Sequence, residues 1–185
     1  ARIIRMMTES VCGKSDVPSK VIDSVLELAE NGKTGTRADI ARGAQAFIEY
    51  GKLYIAYPKK ETEPFSYKLE IGKKTYIPEL GKWFLAETAD ERKGDGEYFS
   101  VPDFDENGIL DVEIRSRRAG DVFIPSGMRG RKKLKDYMID AKIPRFKRDR
   151  VGILTFNGKI AWIIGHRRAE GFKFHKYGIK ISILS

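Results

Sequence analysis

The residues best suited to chemistry in this sequence are arginines and lysines concentrated in one stretch. Between Arg115 and Arg150 the chain has 13 of them and only four aspartates. The excess, 13 minus 4, equals the formal net charge of +9 for all 185 residues. A positive field this localised attracts polyanions, and arginine and lysine side chains bind phosphate oxygens. Gly127 and Gly130, in the same stretch, are expected to let backbone amides approach phosphate closely.

Contact with nucleic acid is therefore predicted for this stretch and for two arginines that follow a later strand. The candidate residues are Arg117, Arg118, Arg129, Arg131, Lys132, Lys133, Lys135, Arg145, Lys147, Arg148, Arg167 and Arg168. An ordinary solvated surface carries charges of both signs, so the excess favours nucleic acid over that simpler interpretation. The aspartates Asp121, Asp136, Asp140 and Asp149 are expected to be salt-bridge partners that orient these side chains, not an acid–base pair.

Aromatic side chains offer a second means of binding RNA, by stacking on unpaired bases. The candidates are Tyr98, Phe99, Phe104, Tyr137 and Phe146. Aromatic residues in strands and amphipathic helices are more often part of the core, so a core role is favoured for this group. Tyr137 and Phe146 occupy core-facing positions, which favours the core role further.

Catalysis and metal binding find no support in the residue pattern. The segment "SGMRGRKK" lacks the glycine spacing of a phosphate-binding P-loop and the Ser or Thr that would hold Mg²⁺. His166 and His175 are the only histidines, and neither has partners at metal-ligand spacing. His166, beside Arg167 and Arg168, fits an extension of the basic surface. We therefore predict no catalytic residue and no metal site in this chain.

Composition places the protein among globular domains of a reducing compartment. Hydrophobic residues make up 41% and charged residues 33% of the chain, which excludes a disordered polyelectrolyte. No apolar run approaches the roughly 20 residues needed to span a bilayer, so no membrane contact is expected. Cys12 is the single cysteine, which excludes an internal disulfide and favours the cytoplasm.

The basic side chains must be positioned by helices and strands, and the sequence pattern of these elements predicts an α+β fold with two small units. Residues 1–60 read as a helix between Pro18 and Asn31, with Val21, Val25, Leu28 and Ala29 on its apolar face, followed by three short strands in a meander. Residues 61–185 read as a β-rich domain.

The β-rich domain is expected to carry the basic helix near residues 131–141, with Leu134, Tyr137, Met138 and Ala141 facing the core. A second helical turn is expected after Pro144. Asn157-Gly158 predicts a two-residue hairpin turn, and this hairpin and a closing strand are expected to belong to the domain's sheet.

The same stretch resembles a known family. "RRAGDVFIPSGMRGRKKLKDYMIDAKIPRFKRDRVGIL", followed by "NGKIAWIIG", is similar to the C-terminal domain of bacterial tRNA(Ile)-lysidine synthase. The matching positions are Arg117, Arg118, Gly120, Asp121, Pro125, Gly127, Met128, Lys132, Lys133, Leu134, Ile143, Pro144, Arg145, Arg148 and Gly165. The helix and short strands of the first unit resemble, more weakly, the family's middle, substrate-associated domain. Gly152 departs from the family, which often has Pro there, and the change is expected to affect strand entry more than recognition.

The resemblance implies the tRNA-recognition region of an enzyme that uses ATP to attach lysine to the wobble cytidine of tRNA(Ile) with the anticodon CAU. In the family, catalysis belongs to an N-terminal domain with a Ser-Gly-Gly-x-Asp-Ser loop, which neither "VCGKSD" nor "NGKTGT" satisfies. The resemblance thus implies a fragment that is inactive alone and holds no cofactor, with ATP and Mg²⁺ belonging to the absent domain. Its implied partners are that tRNA and that N-terminal catalytic domain of the same protein.

One alternative of a different class stays open at this point. The basic stretch would also suit a protein-interaction module that docks an acidic partner or another domain of its parent enzyme. The oligomeric state is left open by the sequence.

Overall fold

The structure is a computed structural model that describes residues 1–13, 17–57, 63–101 and 110–184. Few helices and many antiparallel strands make up the fold, which confirms the predicted α+β class. The chain divides into two compact units, Ala1–Glu61 with Pro144–Phe146, and Thr62–Ile143 with Lys147–Ser185. No helix within the described ranges combines the length and apolar character needed to cross a membrane.

The first unit packs two helices with a three-stranded antiparallel sheet. Its elements are α1 (Arg2–Cys12), α2 (Ser19–Asn31), β1 (Arg37–Asp39), β2 (Gln45–Glu49) and β3 (Lys52–Ala56). The sheet order β1-β2-β3 confirms the predicted meander. Helix α1 was not predicted from the sequence. Its buried positions fall one turn apart and include a threonine and a cysteine, so they make no conspicuous apolar stripe.

Helix α2 is the helix that the sequence predicted. It buries Ile22 and Val25, whereas Ala29, which the apolar pattern placed on the core face, is exposed. The buried stripe therefore lies nearer the start of the helix than predicted. Ser15 and Asp16, whose side chains are of types that commonly cap a helix start, lie outside the described residues.

Within the described residues, the second unit contains ten strands and the short helix α3 (Leu134–Asp140), and the chain also forms a four-residue helix, Arg145–Arg148, whose first two residues are grouped with the first unit. The strands are β4 (Ser66–Lys68), β5 (Lys74–Ile77), β6 (Lys82–Ala89), β7 (Glu97–Phe99), β8 (Val112–Arg115), β9 (Val122–Phe123), β10 (Lys132–Lys133), β11 (Ile153–Phe156), β12 (Lys159–Ile163) and β13 (Gly178–Leu184). Two four-stranded antiparallel sheets have the orders β12-β11-β8-β4 and β5-β6-β13-β7, and β9 pairs with β10 separately.

The hairpin between β11 and β12 turns at Asn157-Gly158, as predicted. Both residues have positive φ, 47° and 73°, which is the conformation that this pair favours. The prediction that the hairpin and the closing strand share one sheet is wrong. Strand β13 pairs with β6 and β7 in the other sheet, and its seven residues align with seven of the eight residues of β6.

Both sheets contribute side chains to one hydrophobic core. The ring of Phe99 in β7 lies 5.6 Å from that of Phe156 in β11 and 6.0 Å from that of Trp162 in β12. Gly152, directly before β11, is buried where a Cβ atom would come within 2.8 Å of Leu80. The glycine at this position therefore matches the packing around the strand entry.

The two helices of the second half are α3 (Leu134–Asp140) and α4 (Arg145–Arg148). The basic helix was predicted to begin near residue 131, which is wrong. Lys132 and Lys133 form strand β10 and pair with β9, so the helix begins after them. Helix α3 begins only where the Leu134 N–H donates to the Asp121 carbonyl, 2.8 Å away. Leu134 and Met138 are buried as predicted, whereas Ala141 follows the helix and is exposed.

Candidate nucleic-acid interface

The centre of the predicted interface is a loop held between β9 and β10, which we call the basic loop (residues 124–131). Its chain is fixed from both sides. The Glu170 N–H donates to the Ile124 carbonyl at 2.7 Å, and the Ser126 N–H donates to the Arg168 carbonyl at 2.9 Å. Pro125 is buried in a bridge with Ala169. The start of the loop is therefore held against residues 168–170, and its end is held where Lys132 and Lys133 pair with β9.

One of the two glycines of this loop, Gly127, has a different use from the one predicted. Gly127 has φ of 81°, a conformation that other residues rarely adopt. Its N–H donates to the Glu170 carboxylate at 2.8 Å, so this amide closes the loop and is not directed at a ligand. The Arg167 guanidinium donates to the Ser126 carbonyl at 2.7 Å. Sequence reasoning missed Glu170, whose partner lies 43 residues away and leaves no local signal.

Two shallow depressions flank the basic loop and share Ile124 and Glu170. One has a volume of about 440 Å³ and is lined by Arg129. The other has a volume of about 530 Å³ and is lined by Arg131 and Lys159. Each depression therefore carries at least one cationic side chain at its wall.

Four cationic side chains in and after the basic loop are exposed and form no salt bridge with the described residues. Arg129, Arg131, Lys133 and Lys135 are exposed. Within the described residues, none of the four has a carboxylate at salt-bridge distance. They extend from the basic loop through β10 to the first turn of α3, so the loop, the strand and the helix present one set of positive charges.

Other predicted contact residues are engaged within the protein. Arg117 donates from Nε to Asp149 at 2.7 Å, and the Lys132 ammonium pairs with Asp140 at 2.5 Å. These pairs confirm the expected salt-bridge role of the two aspartates. Arg118 pairs with Glu113 at 2.9 Å while its side chain stays 57% exposed. The Arg117–Asp149 pair, with side chains 33% and 44% exposed, is of the weak kind, so Arg117 can still exchange its partner for a phosphate, whereas Arg118 is paired with the buried Glu113.

Arg168 is more firmly held. Its guanidinium pairs with Glu97, donates to the Tyr98 carbonyl at 3.0 Å, and lies 4.5 Å from the centroid of the Phe99 ring. This arrangement joins the segment after β12 to strand β7. The predicted RNA contact by Arg168 stays a prediction, and the structure gives it a structural role as well.

The remaining predicted residues lie in or near α4. Arg145 and Lys147 are exposed, and Arg145 is grouped with the first unit. Arg148 donates from Nε to the Ile143 carbonyl at 2.9 Å, which closes the turn around Pro144.

A buried arginine, Arg115, anchors the chain that leads into the basic loop. Its side chain is 4% exposed and forms a two-point ion pair with Asp121, at 2.8 and 2.9 Å. Asp121 also accepts the Arg118 N–H at 2.7 Å, which folds the chain back between β8 and β9. A guanidinium at 4% exposure requires such compensation, because an unpaired buried charge is very costly.

Glu113 completes this buried network from β8. Its carboxylate accepts a hydrogen bond from Ser66 and pairs with Arg118 at 2.9 Å and, more distantly, with Arg115 at 3.8 Å. Burial by itself would raise its pKa, but the Ser66 hydrogen bond and the two guanidinium groups outweigh burial. The pKa of Glu113 is therefore lowered from its ordinary value of 4.5.

A lowered pKa in the folded state makes stability depend on pH. The stabilisation from ionised Glu113 is complete above pH 4.5 and is lost as pH falls below that value toward the folded-state pKa. We expect Glu113→Gln to flatten the acid limb of stability, measured by denaturant unfolding at pH 7 and pH 3. Glu70→Gln, at an exposed carboxylate paired with Lys73, is the matched control and should keep the limb. An unchanged acid limb in Glu113→Gln would contradict this assignment.

The aromatic candidates are mostly part of the core. Tyr98 and Phe99 are 5% and 0% exposed, which excludes them as stacking platforms. Tyr137 packs edge-on against Phe123, with ring centroids 5.3 Å apart. Phe146 is 38% exposed. Phe104 lies outside the described residues.

The two histidines, His166 and His175, are both exposed. Within the described ranges, no group of three or more His, Cys, Asp or Glu side chains is arranged to hold a metal ion. Partial desolvation lowers the pKa of His166 from its ordinary value of 6.5. The predicted extension of the basic surface through His166 stays a prediction.

Comparison with known proteins places this geometry in a family. The family model "TilS substrate C-terminal domain" matches residues 112–183, which include the basic loop, α3 and the hairpin. The tRNA(Ile)-lysidine synthase of Caldanaerobacter subterraneus subsp. tengcongensis is 35% identical over 190 residues, covering 99% of this chain. The chain belongs to the tRNA(Ile)-lysidine synthase family. The synthase of Clostridium perfringens strain 13 is 36% identical and covers 93% of the chain.

The matches also define which part of the family is present. The chain spans 40% and 39% of the length of these two relatives and corresponds to their C-terminal part. A solved structure, "Crystal structure of TILS C-terminal domain", superposes with a TM-score of 0.51 at 25% identity and covers 66% of this chain and 98% of that one. The lysidine synthase relatives match both units, whereas the family model matches the second.

Proposed function

We propose that this chain is the tRNA-binding portion of a tRNA(Ile)-lysidine synthase that acts in the cytoplasm. In this proposal it positions tRNA(Ile) with the anticodon CAU, while an N-terminal domain of the same enzyme attaches lysine to the wobble cytidine. ATP and Mg²⁺ belong to that N-terminal domain. This chain contributes affinity and orientation, not chemistry.

The observation that carries the proposal is the set of four exposed cations without carboxylate partners among the described residues. Arg129, Arg131, Lys133 and Lys135 lie on a loop, a strand and a helix whose backbone is fixed by hydrogen bonds and buried side chains. Cations held in place before binding lose little conformational freedom when phosphate arrives. The two depressions beside them are shallow, which suits an extended backbone better than an enclosed small molecule.

Selectivity for one tRNA is the testable consequence of this function. We expect the chain to bind tRNA(Ile) with the anticodon CAU several-fold more tightly than an elongator tRNA of equal length, in a competition gel shift. Equal affinities would contradict selective positioning and leave only non-specific binding. Polyglutamate serves as the acidic competitor. If it displaces tRNA at equal charge concentration, the protein-interaction alternative is favoured instead.

A further inference from the structure

A second basic surface lies outside the residues discussed so far, in the loop before β13. From Gly171 to the end of the sequence the chain contains three lysines, one histidine and no carboxylate side chain. We call residues 173–177 the lysine–tyrosine loop. Lys173, His175, Lys176 and Tyr177 are all exposed there.

Alternating residues pin this loop to the core. Phe172 and Phe174 are 7% and 6% exposed, and the Phe174 ring packs edge-on against Tyr98 with centroids 5.4 Å apart. The Ser100 N–H donates to the Phe172 carbonyl at 3.3 Å, and the His175 N–H donates to the Ser100 hydroxyl at 3.2 Å. From Phe172 to His175 the side chains therefore alternate between buried and exposed, and Lys176 and Tyr177 that follow are both exposed.

The end of the loop is fixed just as closely. At Gly178 a Cβ atom would lie 1.9 Å from the Phe99 carbonyl oxygen, so only glycine allows β13 to approach β7 here. Tyr177, directly before it, is 66% exposed. The Lys176 ammonium lies 5.2 Å from the centroid of the Tyr177 ring. Ring and cation are therefore presented together on an anchored backbone.

This combination suits an unpaired nucleotide. Tyr177 at 66% exposure leaves its ring accessible to a planar base, and every base has a face on which an aromatic ring can stack. The flanking lysines supply charge for the adjoining phosphates. Interface cores between proteins are depleted in charged residues, and Tyr177 has lysines, not apolar side chains, as its exposed neighbours in the loop.

We propose that the lysine–tyrosine loop binds an unpaired nucleotide of RNA. The base stacks on the Tyr177 ring, and Lys173 and Lys176 hold the adjoining phosphates. The proposal rests on the proposed function for RNA as the partner, and it adds a second contact site of a different kind. The basic loop binds phosphates and needs no unpaired base, whereas the lysine–tyrosine loop needs an unpaired base to stack on Tyr177.

Two RNA hairpins of identical stem test the proposal with the full 185-residue chain. One is blunt, and the other carries four unpaired nucleotides at its 3′ end or, in a second version, at its 5′ end. We expect one of the overhangs to raise affinity about tenfold in fluorescence anisotropy titrations, within the range known for stacking of one base. Tyr177→Ala should abolish this increment while blunt-hairpin affinity is unchanged, and Tyr177→Phe should retain it.

The matched control is Tyr76→Ala, which removes another exposed tyrosine, paired with Trp83 across β5 and β6. It should leave the increment intact. If neither overhang raises affinity, or if Tyr177→Ala weakens both hairpins equally, the nucleotide site is overturned while binding by the basic loop stands. If the wild-type chain binds no hairpin at all, the proposed function fails together with this inference. Lys173→Gln and Lys176→Gln should each reduce the overhang increment, and no change in either would overturn the phosphate role.

Discussion

Reversing Arg129, Arg131 and Lys133 to glutamate is expected to weaken tRNA binding by well over tenfold at low salt. Each reversal removes a phosphate partner and adds a repelling carboxylate at the same place. The three positions are exposed and, among the described residues, free of carboxylate partners, so their loss should not disturb the fold. The measurement is an anisotropy titration of tRNA, with circular dichroism to confirm folding.

The control must separate local contacts from total charge. Lys73→Glu, Lys74→Glu and Lys82→Glu together lower the formal net charge equally, from +9 by six to +3, at exposed positions of β5, β6 and the turn before β5. This control variant should retain most of the affinity, because screening limits the reach of an exposed charge to about 10 Å. Equal losses in both variants would show that only net charge matters, and the basic loop would lose its assigned role.

Asp121→Ala is expected to lower the free energy of unfolding by about 3–5 kcal/mol, the usual cost of removing one partner of a buried ion pair, because Glu113 then remains near Arg115 only at 3.8 Å. Asp121 alone gives Arg115 a two-point ion pair, and the same carboxylate holds the Arg118 N–H. Urea unfolding followed by tryptophan fluorescence measures the loss. The variant should also bind tRNA more weakly, because the chain between β8 and β9 leads into the basic loop.

Asp149→Ala provides the comparison for that loss. It removes the partner of Arg117 in a pair whose side chains are 33% and 44% exposed, so we expect a cost of about 0–1 kcal/mol. Replacing Arg115 by Met together with Asp121 by Leu should recover part of the stability lost in Asp121→Ala, since no buried charge then remains unpaired. If Asp121→Ala proves no more costly than Asp149→Ala, the buried pair does not anchor this region.

Local patterns predicted the elements whose causes are local. Apolar spacing predicted α2, and Asn157-Gly158 predicted its hairpin, because a few neighbouring residues determine each. The start of α3 was wrong because Lys132 and Lys133 favour a helix locally but pair with β9, nine or more residues earlier in the chain. Tertiary contacts override propensity in such cases.

The candidate site was predicted as a charged region but not as a set of separate roles. Sequence reasoning counted Arg115 among 13 similar cations, yet it is buried and structural. Arg115 differs from the other cations because it pairs with two carboxylates. Asp121 lies in a loop, and Glu113 lies in the same strand as Arg115. The role of Glu170 at Gly127 depends likewise on a contact distant in sequence. Charge density therefore located the candidate interface, and only the fold separates its anchors from its exposed cations.

The salt dependence of tRNA(Ile) binding by the wild-type chain shows how many phosphates the exposed cations neutralise. If Arg129, Arg131, Lys133 and Lys135 each neutralise a phosphate, the logarithm of the association constant should fall with the logarithm of salt concentration at a slope of roughly −3. Titrations between about 50 and 200 mM salt cover the range in which such a slope is measured. A slope near that value, reduced by the triple reversal, is the predicted result. Absence of binding at low salt, or an affinity independent of salt, would contradict the account.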